Sequence, residues 1–188
     1  MTFLGHSAYR KGFHLLPELI KKIRNHFPQK KFQFDIQYSI IPKNDKYDKY
    51  FKIIKSTYSK LQKMDINLIS KSLDNEEYYN LLSRADIILM PYQTDVSVQH
   101  HVLGGTSGIV LETMARGKIP IVPANTWLSL QVEKFNSGKI FSGNDDFFSK
   151  TIEAINEFDT LKPIAEANKE YWSKLHCPEQ LIKTILAE

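Results

Sequence analysis

Asp86-Ile87-Ile88-Leu89-Met90-Pro91-Tyr92 is a short apolar run stopped by proline, and this pattern predicts a buried strand. The loop Gly104-Gly105-Thr106-Ser107-Gly108 follows and opens a helical pattern over residues 109–116, which ends at Gly117. Lys118-Ile119-Pro120-Ile121-Val122-Pro123 is a second buried run. A strand, a helix and a strand in this order predict one right-handed crossover unit of a parallel sheet.

The rest of the chain repeats this alternation. Further strands are predicted at residues 2–5, 32–38, 66–69 and 139–142, and the period-two pattern of 32–38 predicts a half-buried strand near an edge of the sheet. Helices are predicted at 15–27, 47–61, from Asn75 through Leu82, at 128–135 up to Gly138, and over 145–188 with breaks at Pro163 and Pro178. We therefore predict one doubly wound, Rossmann-like α/β domain with a parallel sheet over residues 1–188, with C-terminal helices at 145–188.

The composition excludes several classes of protein. The 188 residues are 42% hydrophobic and 24% charged, as in an ordinary globular domain. The single Cys177 excludes an internal disulfide and a thiolate zinc site, and it fits a reducing compartment. The net charge of +4 comes with lysines concentrated over residues 21–63, which fit a solvated helix surface better than a membrane or nucleic-acid surface. No apolar run approaches the roughly 20 residues that span a bilayer, so we expect a cytoplasmic protein.

Two loops that follow predicted strands have the chemistry of anion sites. The loop 104–108 leads into a helix, whose first N–H groups and positive dipole end favour a phosphate. The loop 5–13 carries two adjacent cations, Arg10 and Lys11, which suit a diphosphate leaving group. Side chains tilt toward the helix N-terminus, so we expect Glu112 beside the anion, where sugar hydroxyls would bind it. Both loops are expected at the carboxyl edge of the sheet.

Two blocks of sequence carry a family resemblance. Lys11-Gly12-Phe13-His14-Leu15-Leu16 resembles the start of the donor-binding domain of GT-B glycosyltransferases of group 1 (family 4). Ser107-Gly108-Ile109-Val110-Leu111-Glu112, continued over residues 117–122, resembles the most diagnostic block of that family. His6 stands where arginine is usual, and Gly104 stands where many members have a second glutamate, which contacts the transferred sugar. The resemblance covers nearly the whole chain and implies the C-terminal half of a GT-B fold.

The resemblance implies a set of site residues. Lys11 would bind the diphosphate of the donor, with Arg10 in place of the missing arginine, and these two are the predicted catalytic residues. Ser107 and Gly108 would offer N–H groups to the phosphates, and Glu112 would hold the ribose hydroxyls. The predicted donor-binding residues are His6, Lys11, Thr106, Ser107, Gly108 and Glu112. No cofactor is predicted, because the nucleotide-diphosphate sugar, linked to UDP or GDP, is a substrate.

The resemblance also implies a reaction and its partners. We expect transfer of a sugar to an acceptor hydroxyl, with retention of configuration and without a metal. The N-terminal acceptor domain is absent, so this chain is expected to be a fragment that is inactive alone. Peripheral contact with the cytoplasmic membrane face through that absent half stays open. Self-association through the C-terminal helices, around Tyr171 and Trp172, also stays open.

Other functions are weighed against this one. A sugar-nucleotide epimerase of GT-B architecture would need acid–base groups, for which His6, His100 and His101 are the nearby candidates. A nucleotide-binding module without catalysis is the other alternative. No metal site is predicted at His100 and His101, because no nearby Asp, Glu or Cys completes it. No nucleic-acid partner is predicted, because the tyrosines at 47, 50 and 58 lie at helical spacing that favours packing over base stacking.

Overall fold

The computed structural model describes residues 1–39, 48–93, 107–175, 177 and 179. Its centre is one parallel sheet of six strands in the order β3-β2-β1-β4-β5-β6. The strands are β1 (Thr2–Phe3), β2 (Asp35–Gln37), β3 (Asn67–Ile69), β4 (Ile87–Leu89), β5 (Ile119–Pro123) and β6 (Lys139–Phe141). The order runs outward in both directions from β1 and β4, so the predicted doubly wound Rossmann-like sheet is confirmed.

Seven α-helices of the described residues connect and cover the strands. They are α1 (Leu16–His26), α2 (Asp48–Leu61), α3 (Asn75–Arg84), α4 (Gly108–Ala115), α5 (Trp127–Phe135), α6 (Asn144–Asn156) and α7 (Phe158–Leu175). Two short 3₁₀ turns, Tyr9–Lys11 and Phe13–Leu15, precede α1. Two of these helices begin at a capping box, which Asp74 forms with Glu77 before α3 and Thr126 forms with Ser129 before α5.

Each face of the sheet has its own hydrophobic core, because side chains alternate along the strands. Ile87 and Leu89 of β4 pack with α1, α2 and α6, whereas Ile88 between them packs with α3, α4 and α5. Helix α7 takes part in both cores, with Leu161 in the first and Trp172 in the second. The last helix therefore joins the two layers around the sheet.

Helix α7 crosses the amino ends of the central strands. Lys162 lies 3.9 Å from the carboxylate of Asp86, which directly precedes β4. Further along, the indole of Trp172 is 1% exposed and donates to the carbonyl of Leu111 on α4 at 3.2 Å. Trp172 is thus a core residue and cannot contribute to a self-association surface, which corrects that expectation. Tyr171 beside it is 57% exposed, as expected.

Three predictions about individual elements were wrong. The strand at 32–38 is reduced to β2, whose three residues are all buried instead of half-buried, although β2 does lie near an edge, between β1 and the edge strand β3. The helix that was expected to end at Gly138 ends at Phe135, because Asn136 adopts a left-handed conformation and caps α5. The break expected at Pro163 falls at Glu157 instead. Pro163 removes only the hydrogen bond to the Asp159 carbonyl, and Asp159 is exposed, so water can replace it.

The remaining expectations concern the tyrosines of α2, the C-terminal residues and membrane spans. Tyr47, Pro178 and residues 181–188 lie outside the described part of the chain. Tyr50 and Tyr58 are partly buried and pack on other rings, with centroids 4.5 Å from Tyr9 and 3.9 Å from Tyr38. Their packing role is therefore confirmed, although at the margin of the core. No helix of the described residues is long and apolar enough to cross a membrane.

Gly12→Ala tests the closest backbone contact of the fold. Gly12 has φ of +70°, and a Cβ there would lie 1.9 Å from the carbonyl oxygen of Pro91. We expect a loss of about 2–5 kcal/mol in the free energy of unfolding, from left-handed strain and overpacking together. Gly108→Ala is the matched control, because a Cβ at Gly108 meets nothing within 4 Å. Urea denaturation measures both variants, and equal stability of the two would contradict this account.

Candidate functional site

The site lies where the strand order reverses, between β1 and β4. The connections that leave the carboxyl ends of these two strands lead to helices on opposite faces, and in sheets of this kind ligands commonly bind in the crevice between such connections. The first connection contains Arg10 and Lys11, and the second ends at Ser107, where α4 begins. The two loops singled out in the sequence therefore belong to the same edge of the sheet.

The loop after β1 is held by the end of β2. The N–H of Gly5 donates to the side-chain oxygen of Gln37 at 2.7 Å, and the hydroxyl of Ser7 donates to the Gln37 carbonyl at 3.1 Å. The N–H of Ser7 also donates to the carbonyl of Ser39, whose own N–H donates back to the Ser7 hydroxyl. Ser7 and Gln37 are both buried. These bonds fix the backbone that presents the next residues, Arg10 and Lys11.

Aromatic stacking supports the same loop from the side. The ring of Tyr9 stacks on His14 with centroids 4.2 Å apart, and it also contacts Tyr50 of α2. Phe13 is fully buried and packs 5.8 Å from the Phe3 ring of β1. The turn that carries Arg10 and Lys11 is thereby fixed by rings on both sides of it.

The loop after β4 is joined to the loop after β1 through backbone groups. The N–H of Gln93 donates to the carbonyl of Arg10 at 2.9 Å, and the Gln93 side chain donates to the carbonyl of Pro91 at 3.0 Å. Gly12 lies directly against Pro91, where no side chain would fit. The two loops consequently hold one another in a fixed relative position.

A chain of polar side chains connects the cation to the start of α4. The ammonium of Lys11 donates to the hydroxyl of Tyr92 at 2.9 Å and lies 4.1 Å from the centroid of the same ring. The Tyr92 hydroxyl is 3.3 Å from the hydroxyl of Ser107. Tyr92 is only 6% exposed. One buried phenol therefore contacts Lys11 and Ser107, two of the residues that the sequence assigns to phosphate binding.

The N-terminus of α4 presents donors to the crevice. Ser107 is the N-cap residue in extended conformation, and its side chain makes no capping hydrogen bond. The N–H of Val110 already donates to the Ser107 carbonyl at 3.0 Å. By helix geometry the first-turn N–H groups of Gly108 and Ile109 have no intrahelical acceptor. Together with the helix dipole, they favour an anion at this end.

The carboxylate of Glu112 is directed along the helix rather than to its mouth. It accepts a hydrogen bond from Arg116, one turn further on, and the Arg116 guanidinium lies 4.7 Å from the ring centroid of Tyr79. Burial and the nearby negative charge of Glu112 raise the pKa of Tyr78 to about 12. Glu112 is thus held within a small polar cluster one turn inside α4.

The structure brings together only part of the residues that the sequence singled out. Lys11 and Ser107 meet through Tyr92, and Gly108 follows as the first residue of α4. His6 and Arg10 are exposed on the first loop. Of Arg10, the backbone carbonyl is held in place, because it accepts the hydrogen bond from the N–H of Gln93. Thr106, Gly104, His100 and His101 lie outside the described residues. The binding and catalytic roles stay predictions.

Tyr92 is the site residue that the sequence reasoning missed. The apolar pattern predicts it only as the end of a strand, although a tyrosine directly after a strand-ending proline at the carboxyl edge of a sheet is a usable signal. Arg116 was missed as well, and its spacing of four residues from Glu112 was the available signal. Within the described part of the chain, no three His, Cys, Asp or Glu side chains converge to hold a metal ion.

Comparisons with known proteins identify the fold. No protein-family model matches the sequence, and no curated protein matches it significantly. Among solved structures, the C-terminal domain of a glycosyl transferase group 1 family protein from Francisella tularensis is 15% identical, with a TM-score of 0.65 over 93% of this chain and 84% of that one. The fold is that of the C-terminal domain of GT-B glycosyltransferases, as the sequence predicted.

Longer proteins share the same fold in one half. Sucrose-phosphate synthase from Thermosynechococcus elongatus is 14% identical, with a TM-score of 0.68 over 99% of this chain and 45% of that one. HepE from Anabaena in complex with UDP is 12% identical, with a TM-score of 0.70 over 100% of this chain and 48% of that one. The chain therefore spans about half the length of these two proteins. At these identities the likeness concerns the fold alone.

Proposed function

We propose that this chain is the donor-binding part of a glycosyltransferase, which transfers a sugar from a nucleotide-diphosphate sugar to an acceptor hydroxyl. The observation that carries the proposal is the convergence of Lys11, Tyr92 and Ser107 at the open end of α4, in the crevice between β1 and β4. Solved structures with this fold include glycosyltransferases, and one of them, HepE, contains UDP-glucose.

In this proposal the diphosphate binds between Lys11 and the N-terminus of α4. The leaving nucleoside diphosphate gains negative charge as the bond to the sugar breaks, so fixed positive groups that face it lower the barrier. Lys11 and Arg10 supply charge from one loop, and the N–H groups of Gly108 and Ile109 supply donors from the other. Such an arrangement can stabilise the leaving group without a divalent metal.

Glu112 is proposed to bind the ribose hydroxyls. A carboxylate repels a phosphate, whereas it accepts hydrogen bonds from hydroxyl groups. Arg116 holds the Glu112 carboxylate away from the open end of α4, and so away from the proposed phosphate position. The ribose, which is attached to the α-phosphate, would lie within reach of this carboxylate.

The acceptor is proposed to bind on a second domain that this chain does not supply. The longer glycosyltransferases that match this chain are about twice as long as the part of them that resembles it. Transfer requires an acceptor hydroxyl held in line with the donor, and one sheet edge provides one wall of that cleft. We further propose that the sugar keeps its anomeric configuration in the product.

We expect the 188-residue chain to bind nucleoside diphosphates yet to transfer sugar inefficiently by itself. The direct test is turnover with UDP- and GDP-linked sugars, with and without a separately supplied acceptor domain, and with NMR assignment of the product anomer. Efficient transfer by the chain alone would contradict the two-domain proposal. Interconversion of the donor sugar without transfer would instead indicate an epimerase.

Lys11→Ala is expected to weaken nucleoside diphosphate binding by about 1.5–3 kcal/mol, because it removes a charge-assisted contact to the phosphates. Isothermal titration calorimetry measures the change. Lys55→Ala is a matched control, because the Lys55 ammonium also lies over an aromatic ring, 4.5 Å from the centroid of Phe51, on the exposed side of α2. Equal affinities of Lys11→Ala and the unchanged protein would remove Lys11 from the site.

Glu112→Gln is expected to weaken binding of the nucleoside diphosphate while inorganic pyrophosphate binds equally well or better. The reason is that the ribose loses a charged acceptor, whereas the phosphates lose a repulsive neighbour. Glu170→Gln is the control, because Glu170 also pairs with a cation four residues on but lies on α7. A parallel loss for both ligands would rule out the ribose assignment.

A further inference from the structure

We infer that Tyr92 is a positioning residue of the phosphate site, whose hydroxyl holds the side chains of Lys11 and Ser107 in place to bind a diphosphate. The inference rests on the proposed function and adds Tyr92 to the site residues that the sequence predicts. It concerns only the phenol hydroxyl, since the Tyr92 ring has a separate packing role in the core between the sheet and α4.

The Tyr92 hydroxyl is shared by two partners. An ammonium can only donate, so the Lys11 Nζ donates to the Tyr92 oxygen at 2.9 Å. The same hydroxyl lies 3.3 Å from the Ser107 hydroxyl, and either of these two groups can donate in that bond. The Tyr92 hydroxyl therefore holds the Lys11 ammonium and the Ser107 side chain next to one another.

This placement matters because a diphosphate presents only acceptor oxygens. Two protons of the Lys11 ammonium stay available to donate, and the Ser107 hydroxyl can donate to the ligand when it accepts from Tyr92. The side chain of Ser107 makes no capping bond to α4, so it does not occupy the first-turn N–H groups. The groups that Tyr92 holds in place can then donate to the same anion as the start of α4.

Burial makes the arrangement rigid before a ligand arrives. Tyr92 is 6% exposed, and the Lys11 ammonium lies 4.1 Å from the centroid of its ring. The cation therefore makes a cation–π contact with the ring as well as a hydrogen bond to the hydroxyl. A lysine has many rotamers, and their restriction in the free protein reduces the entropy lost on binding. Tyr92→Phe would keep the ring contact and remove the hydroxyl alone.

The test is a mutant cycle measured by calorimetry. The ligand is whichever of UDP, GDP and ADP binds the unchanged protein most tightly, together with the matching monophosphate. We expect Tyr92→Phe to weaken binding of the diphosphate about three- to tenfold, the usual effect of one lost hydrogen bond. Binding of the monophosphate should weaken by a smaller factor, because that ligand lacks the second phosphate group. Tyr58→Phe, a partly buried tyrosine on α2, is the control and should change neither affinity.

The background variant separates positioning from packing. In the Lys11→Ala/Ser107→Ala protein, Tyr92→Phe should change diphosphate affinity less than twofold, because both partners of the phenol are gone. An unchanged affinity in the single variant, an equal loss for both ligands, or the same loss in the background variant would each overturn the inference. If the unchanged protein binds none of the diphosphates, the proposed function fails and this inference fails with it.

Discussion

The contact between Gly12 and the carbonyl of Pro91 is the constraint on which the candidate site depends. These residues lie on the loops that leave β1 and β4, and they approach so closely that even a methyl group would collide with the carbonyl oxygen. Because the backbones touch, the N–H of Gln93 reaches the carbonyl of Arg10, and Tyr92 reaches both Lys11 and Ser107. A wider separation of the two loops would break the contacts of Gln93 with Arg10 and of Tyr92 with Lys11 together.

The electrostatic organisation of the site follows from this closeness. The two loops bring the Lys11 ammonium close to the positive end of α4, with the exposed Arg10 next to Lys11 in the chain, while the Glu112 carboxylate is held by Arg116 one turn inside the helix. Positive and negative groups are thus separated along α4, with donors at its mouth and an acceptor behind them. A ligand that carries phosphates at one end and hydroxyl groups next to them would match this separation.

The frame behind the site is held by α7, which is remote from the crevice. It contacts Asp86 at the amino end of β4, and its Trp172 donates to the Leu111 carbonyl of α4. A helix that takes part in both cores ties the position of α4 to the sheet. We expect the placement of Ser107 and Gly108 to depend on this packing, because α4 has only eight residues and is too short to be stable without its neighbours.

The sequence by itself determined the alternation of strands and helices, the parallel doubly wound sheet, and the two loops that carry Lys11 and Ser107. These depend on periodicity, on glycine and proline, and on short segments that can be interpreted locally. Only the tertiary structure decided that β2 is interior, that Trp172 is buried, that Glu112 pairs with Arg116, and that Tyr92 joins the two loops. Each of these depends on which segments become neighbours across the fold or on which rotamer a side chain adopts. Tyr92 and Lys11 are 81 residues apart in sequence, and no local pattern records a contact of that range.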